Sequence, residues 1–432
     1  MRQLLWPVAL ICSFLSLWIV LPGPNLFFLR LAVAAPEISP LLASISAIAL
    51  FFILLNALTN PRNHSNSSAV KGLTLLLLLT LSICAWPMFQ RPSAIAAANQ
   101  SMAEAFDQSQ PIDAPFRWRA FFGRAEDRKV RVEDRKVRAE DRKVRSQKHI
   151  AFESPTGVPL SLDLYQPALY KPDLRKPALR KPDLRKPDLS QPLAAGRYPA
   201  VVTIYGGSWM RGSPAESQQM AEFLAARGYV VVALDYRHAP AHQFPAQIED
   251  IAAGLAFVQS RAEDFEIDKE RIALLGWSAG AHLAMLLGFQ PALQSGGSVR
   301  SIVNYYGPVD LANGYYDIPR PDPIDVRQVL RTFLGGTPAE LPNAYAAASP
   351  ISYVEQAEAN TLPAMLLIYG GRDHVVEARF GRALYNALER SGNRAVWVEI
   401  PWAEHAFDKV FNGLSNQMAL PFIEQFLAQT LK

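Results

Sequence analysis

The sequence predicts an α/β fold, a mostly parallel sheet with helices on both faces, preceded by transmembrane helices. Three observations predict it. Apolar strand-like runs alternate with helical segments from Tyr198 onward, the pattern of a sheet covered on both faces. Three apolar stretches before Met88 carry no charged residue. Ser278 lies in a G-x-S-x-G motif where a strand-like run passes into a helical one.

The charge-free stretches are residues 4–21, 41–58 and 73–88. The first two are long enough for a hydrocarbon core that needs roughly 17–25 helical residues, and the third is slightly short. A helix satisfies its own backbone groups in lipid. We therefore expect three spans, with a partial fourth segment at 26–35 interrupted by Arg30. A cleavable signal peptide ending at Ala32-Val33-Ala34-Ala35 is the alternative, and the two later stretches would still anchor its product. An N-terminus inside the cell puts Arg2, Arg62 and Lys71 on the cytoplasmic side and Arg30 and Arg91 outside. That orientation places the C-terminal domain outside the cytoplasm; the basic residues after Arg117 argue the other way.

The net charge of +4 reflects local runs, because most of the basic excess lies between Arg117 and Lys186. It implies no nucleic-acid partner. Cys12 and Cys84 both lie in apolar stretches and outline neither a disulfide framework nor a zinc site.

Two repeats separate the membrane segment from the sheet. A seven-residue unit beginning at Ala125 recurs at Val132 and Ala139. Its apolar residues do not fall at helical spacing, so it reads as a charged spacer, with lipid or partner binding as the other use. The unit Lys171-Pro172-Asp173-Leu174-Arg175 recurs at Lys176, Lys181 and Lys186. A proline every fifth residue forbids helix and central strand, so this is an extended surface excursion. The expected organisation is a membrane anchor at 1–90, a charged repeat linker at 91–147, and a domain at 148–432 with the Pro-rich insertion at 166–193.

Within that domain, a strand-like run at 160–165 precedes the insertion. Strands are then expected at 200–205, 229–235, 271–275, 301–306, 364–369 and 396–400, with helices at 216–227, 246–261, 279–289, 376–390 and 415–431.

The chemistry is carried by three strand-end motifs. In Gly276-Trp277-Ser278-Ala279-Gly280 the tight turn would present the serine hydroxyl above the sheet, and the flanking glycines relieve the crowding. In Tyr205-Gly206-Gly207-Ser208-Trp209 the chain can approach a substrate closely; the N–H groups of Gly207, Ser208 and Ala279 are the candidate oxyanion donors. Gly-Gly after a strand is otherwise an ordinary turn. Asp373, just past a strand end, would orient a histidine or else cap the following helix. His405 follows the next strand and is the candidate base. His64 and His149 precede the sheet, His238 and His242 precede the serine, His282 rides on the serine's helix, and His374 adjoins Asp373.

Residues from about 148 to 432 resemble the α/β-hydrolase superfamily, in its esterase/lipase branch of hormone-sensitive-lipase-like and feruloyl-esterase-like carboxylesterases. The resemblance is carried by Tyr205 to Trp209, Asp235-Tyr236-Arg237, Phe244-Pro245-Ala246, Glu249-Asp250, the Ser278 motif, Ser349-Pro350-Ile351, Gly371-Arg372-Asp373 and Glu404-His405-Ala406-Phe407. It implies an α/β-hydrolase fold, a Ser278–His405–Asp373 triad, a small-molecule ester substrate and no metal or other cofactor. It also implies that Asp235, Arg237 and Asp250 brace loops rather than bind metal. The family usually has histidine where this chain has Tyr205. Trp209 is expected to line the substrate pocket, and residues 307–341 to form a lid over it. A serine peptidase, an arylformamidase-like amidase and a catalytically silent binding module remain alternatives on the same fold.

Overall fold

The computed structural model describes residues 2–59, 68–107, 109–123, 144–167, 197–294 and 298–432. The charged repeat and the Pro-rich repeat lie outside the described residues, apart from the ends that flank them.

Eight strands form one sheet in the order β1-β2-β4-β3-β5-β6-β7-β8. They are β1 Arg145–Glu153, β2 Pro159–Gln166, β3 Tyr198–Ile204, β4 Val230–Leu234, β5 Ile267–Trp277, β6 Val299–Tyr305, β7 Ala364–Gly370 and β8 Ala395–Ile400. The pairs from β4 through β8 are all parallel, whereas β1 with β2 and β2 with β4 are antiparallel. Every residue of β3, β4, β6 and β7 is buried except Arg300. This explains why these strands read as continuous apolar runs rather than alternating ones. The expected strand from Leu160 is β2. β1 was not anticipated: it is a mostly exposed, polar edge strand with a bulge between Gln147 and Ile150, and such edges discourage pairing with other chains.

Numbering the longer helices in chain order, α1 is Arg2–Leu17, α2 Leu26–Glu37, α3 Ser39–Thr59, α4 Ser68–Ala105, α5 Gln218–Ala225, α6 Ala246–Ser260, α7 Ala279–Gly288, α8 Val326–Leu334, α9 Ala378–Arg390 and α10 Asn416–Thr430. The last five helices expected from sequence correspond to α5, α6, α7, α9 and α10, within a few residues at each end.

Of the three apolar stretches, two fall in helices long and apolar enough to cross a membrane, α3 and α4. The first forms α1, whose 16 residues fall short of the roughly 17 needed. Residues 26–35 form α2 rather than a span of their own. α4 does not end where its apolar run ends. It continues through Pro87 and Pro92 to Ala105, and Ala94, Ala98 and Met102 pack into the main core. The continuation is possible because the buried Arg91 guanidinium finds two carbonyls, donating to Ala114 O and, at 2.7 Å, to Leu414 O.

Candidate active site

Ser278 occupies the turn between β5 and α7 with φ 50° and ψ −119°. A non-glycine residue held there costs about 1–3 kcal/mol and persists only where its surroundings fix it. They do so here. The Ser278 N–H donates to Tyr305 O on β6 at 2.9 Å, and the Ser278 carbonyl accepts from His282 N at 3.0 Å. Gly280 is required by contact, since a Cβ there would lie 2.1 Å from Ile204 O at the end of β3.

The structure brings the three predicted side chains together. His405 Nε2 stands 3.0 Å from Ser278 Oγ, and His405 Nδ1 stands 2.7 Å from Asp373 Oδ2. Asp373 does not cap the following helix, which begins at Ala378 after Glu377; its other oxygen, Oδ1, accepts instead the N–H groups of Val375 and Val376 in the turn, at 2.8 and 2.7 Å. One carboxylate therefore closes the turn after β7 and faces the imidazole. Burial depresses the His405 pKa, but Asp373, Glu404 and Asp408 outweigh it and hold the imidazole above its ordinary 6.5.

Three residues around His405 were not assigned roles from sequence. Glu404 Oε1 accepts the N–H of His405 at 2.9 Å and that of His374 at 2.7 Å, while Oε2 meets His374 Nδ1 at 2.6 Å. It thus ties the loop after β7 to the loop after β8. The Tyr306 ring lies 4.6 Å from the His405 ring, and its hydroxyl donates to Asp408. Adjacency to motif residues was the only sequence signal for any of them.

The loop after β3 is held in an unusual conformation, with φ of 126°, 57° and 59° at Gly207, Ser208 and Trp209. A Cβ on Gly207 would sit 2.0 Å from Arg211 O. Ser208, Trp209, Ala279 and Ser278 border one cavity. Among the described residues, the N–H groups of Ser208 and Ala279 have no acceptor. Trp209 is clamped rather than free. Its Nε1–H donates to His282 Nδ1 at 3.2 Å, and its ring stacks 4.1 Å from Phe333. His282 is fully buried and neutral, its pKa pushed down by burial to about 4.

Tyr205, just before Gly206, braces the loop through its side chain. Its hydroxyl donates to Asp235 Oδ1 at 2.5 Å and its ring stacks on Tyr236. Arg237 and Asp250 form a buried ion pair at 2.8 Å, so these acids are occupied by loop bracing. Among the described residues no cluster of His, Cys, Asp or Glu is arranged to hold a metal.

The segment between β6 and β7 walls the cavity from the far side, with Val309, Leu311, Ile324, Val326, Val329 and Leu330 facing it. Ser278 thus lies beside the N–H groups of Ser208 and Ala279, under a mostly apolar wall.

A family model described as BD-FAE matches residues 188–388. Esterase LipQ of Mycobacterium tuberculosis is 32% identical over 238 residues, covering 52% of this chain and 55% of its own. Esterase LipC of the same organism is 32% identical, with coverages of 49% and 53%. The isoprenylcysteine alpha-carbonyl methylesterase ICME of Arabidopsis thaliana is 28% identical, with coverages of 46% and 48%. The chain spans about half the length of these relatives. Among solved structures, a hyperthermophilic esterase from Pyrobaculum calidifontis matches with a TM-score of 0.52 at 24% identity, covering 67% of this chain and 87% of that one. A bacterial heroin esterase matches with a TM-score of 0.54 at 19% identity, covering 68% and 86%. The C-terminal part of the chain has the α/β-hydrolase fold, and the relatives support the esterase family within it.

Proposed function

We propose that this chain is a carboxylic ester hydrolase that works through an acyl-enzyme on Ser278, anchored by its N-terminal helices in a membrane. One observation carries the chemistry: hydroxyl, imidazole and carboxylate stand 3.0 and 2.7 Å apart in series, with Ser278 bordering a mostly apolar cavity. His405 takes the seryl proton as Oγ attacks the ester carbonyl, and Asp373 stabilises the imidazolium that forms. The oxyanion falls to the N–H groups of Gly207, Ser208 and Ala279 beside Ser278. The alcohol leaves with the proton from His405, and water then attacks the acyl-enzyme by the same route. Trp209 and the segment at 307–341 enclose the substrate, and no cofactor enters the scheme. Names of relatives support ester over amide as the bond cleaved.

The anchor reading has α1, lengthened to Leu21 by the turns that follow it, and α3 and α4 crossing the bilayer three times, with an N-terminus inside and the hydrolase domain outside the cytoplasm. What supports it is the length and apolarity of α3 and α4 and the packing of Ala9, Ala49, Leu50, Leu73 and Leu77 from the three helices into one cluster.

The test is Ser278→Ala in the full chain. It should leave thermal stability unchanged and remove both hydrolysis of p-nitrophenyl acetate and labelling by a fluorophosphonate. Undiminished turnover rejects the assignment, and faster release of a matched p-nitroanilide than of the ester turns the reading toward an amidase. Protease protection in sealed membranes tests the sidedness.

A further inference from the structure

We propose that the carboxyl edge of the sheet, and with it the mouth of the Ser278 cavity, faces the bilayer, so that the enzyme draws its esters from the membrane. This rests on the ester-hydrolase and anchor readings above, and names the substrate class: amphiphilic esters with a long apolar chain, resident in lipid.

The direction of α4 sets the geometry. Midway along β8 the Trp397 N–H donates to Ser101 Oγ at 2.9 Å. Nearer the start of α4, Arg91 donates to Leu414 O, which lies beyond the carboxyl end of β8 at Ile400. The helix therefore runs antiparallel to the strand. At about 1.5 Å per residue, its segment from Ser68 to Gln90 projects about 35 Å past the carboxyl edge. This is the apolar segment that packs with α1 and α3.

Two further contacts, from other parts of the anchor, fall on that same edge. The Arg372 guanidinium donates to Val20 O at 2.6 Å, in the link between α1 and α2. The buried Glu37 carboxylate at the end of α2 accepts the Ser415 N–H at 2.8 Å and the Ser415 hydroxyl. Arg372 immediately precedes Asp373, and Ser415 closes the loop that carries His405. The anchor is thus seated on the two loops that complete the triad.

The cavity suits such a substrate. Its roof is mostly apolar, with Asp310 and Asp317 as the acidic exceptions on its lining, and the segment that forms it also carries Tyr316, 59% exposed. An ester whose chain partitions into lipid is concentrated there and scarce in water, since each buried methylene favours the bilayer. A site opening on the lipid side meets it without a step through water.

The experiment uses the full chain reconstituted in phosphatidylcholine vesicles. Flotation with the vesicles reports on the anchor, and p-nitrophenyl acetate turnover abolished by Ser278→Ala reports on the hydrolase, so failure of either reading is seen separately. With both in hand, 4-methylumbelliferyl palmitate is supplied in the enzyme's own vesicles or in separate ones. We expect turnover about tenfold or more faster in the shared bilayer, falling as inert phosphatidylcholine dilutes the ester at constant bulk amount, with acetate turnover unaffected. Equal rates from shared and separate vesicles overturn the proposal.

A second arm needs no activity. Bimane on Tyr316→Cys, compared with Lys269→Cys at the opposite edge, is exposed to spin-labelled lipid; the native Cys12 and Cys84 are buried. We expect clearly stronger quenching at 316. Equal quenching at the two positions, or stronger quenching at 269, overturns the orientation.

Discussion

Replacing Asp373 with asparagine separates its two jobs. Oδ1 accepts two backbone N–H groups, from Val375 and Val376, and only an oxygen can fill that place. Turning the amide over would strand both donors in a site where residue 373 is 4% exposed, at about 1–3 kcal/mol each. The asparagine oxygen therefore stays with the turn, and its NH₂ faces His405 Nδ1, now 2.7 Å from Oδ2. A donor there selects the imidazole tautomer protonated on Nε2, which points a second donor at Ser278 Oγ and cannot accept the seryl proton. The expected loss in kcat is about 10³–10⁴, or about 4–5.5 kcal/mol in the barrier. The assay is p-nitrophenyl acetate turnover beside thermal unfolding of the same samples. Asp373→Asn should unfold close to wild type while Asp373→Ala, which loses the turn as well, unfolds earlier. A Asp373→Asn enzyme within tenfold of wild-type kcat would refute the reasoning.

Other consequences follow from the surroundings of the triad. Asp408 is one of the carboxylates raising the His405 pKa, and catalysis needs the imidazole neutral, so activity rises with pH through a limb above 6.5; Asp408→Asn should move that limb to lower pH in a kcat/KM profile. Glu404→Ala removes the bridge between the two loops and should lower kcat by about tenfold through misplacement of the imidazole, with Glu404→Gln closer to wild type because its oxygen still accepts both N–H groups. Gly280→Ala would drive a methyl into the carbonyl of Ile204, and should abolish both soluble expression of the folded chain and fluorophosphonate labelling. Glu37 is buried and its carboxyl is pushed up from 4.5 to about 8 by burial. The folded state therefore binds the extra proton, and stability falls by up to about 1.4 kcal/mol per pH unit as pH rises from 4.5 to 8. Glu37→Gln should flatten that slope in a series of melting temperatures against pH.

Much of the fold was legible in the residues, because a parallel strand buried on both faces is a short continuous apolar run and needs no partner to be recognised. The order serine, acid, histidine was legible for a related reason. Each sits just past a strand end, next to a glycine or a motif whose spacing is local. β1 escaped notice since an exposed antiparallel edge has no apolar signature, and its pairing with β2 is a long-range matter. Arg91 and the prolines beside it read as the end of an apolar helix, because the carbonyls of Ala114 and Leu414 that receive the guanidinium come from elsewhere in the chain.

By itself, then, the sequence determined the buried parallel strands, most of the helices that cover them and the apolar stretches, and which side chains are candidates to act. Tertiary structure alone decided that Asp373 meets turn and imidazole together, that Glu404, Tyr306 and Asp408 surround His405, and that the N-terminal helices rest on the loops carrying Asp373 and His405. Local order comes from spacing along the chain, whereas these contacts join residues that only the closed sheet brings within hydrogen-bonding reach.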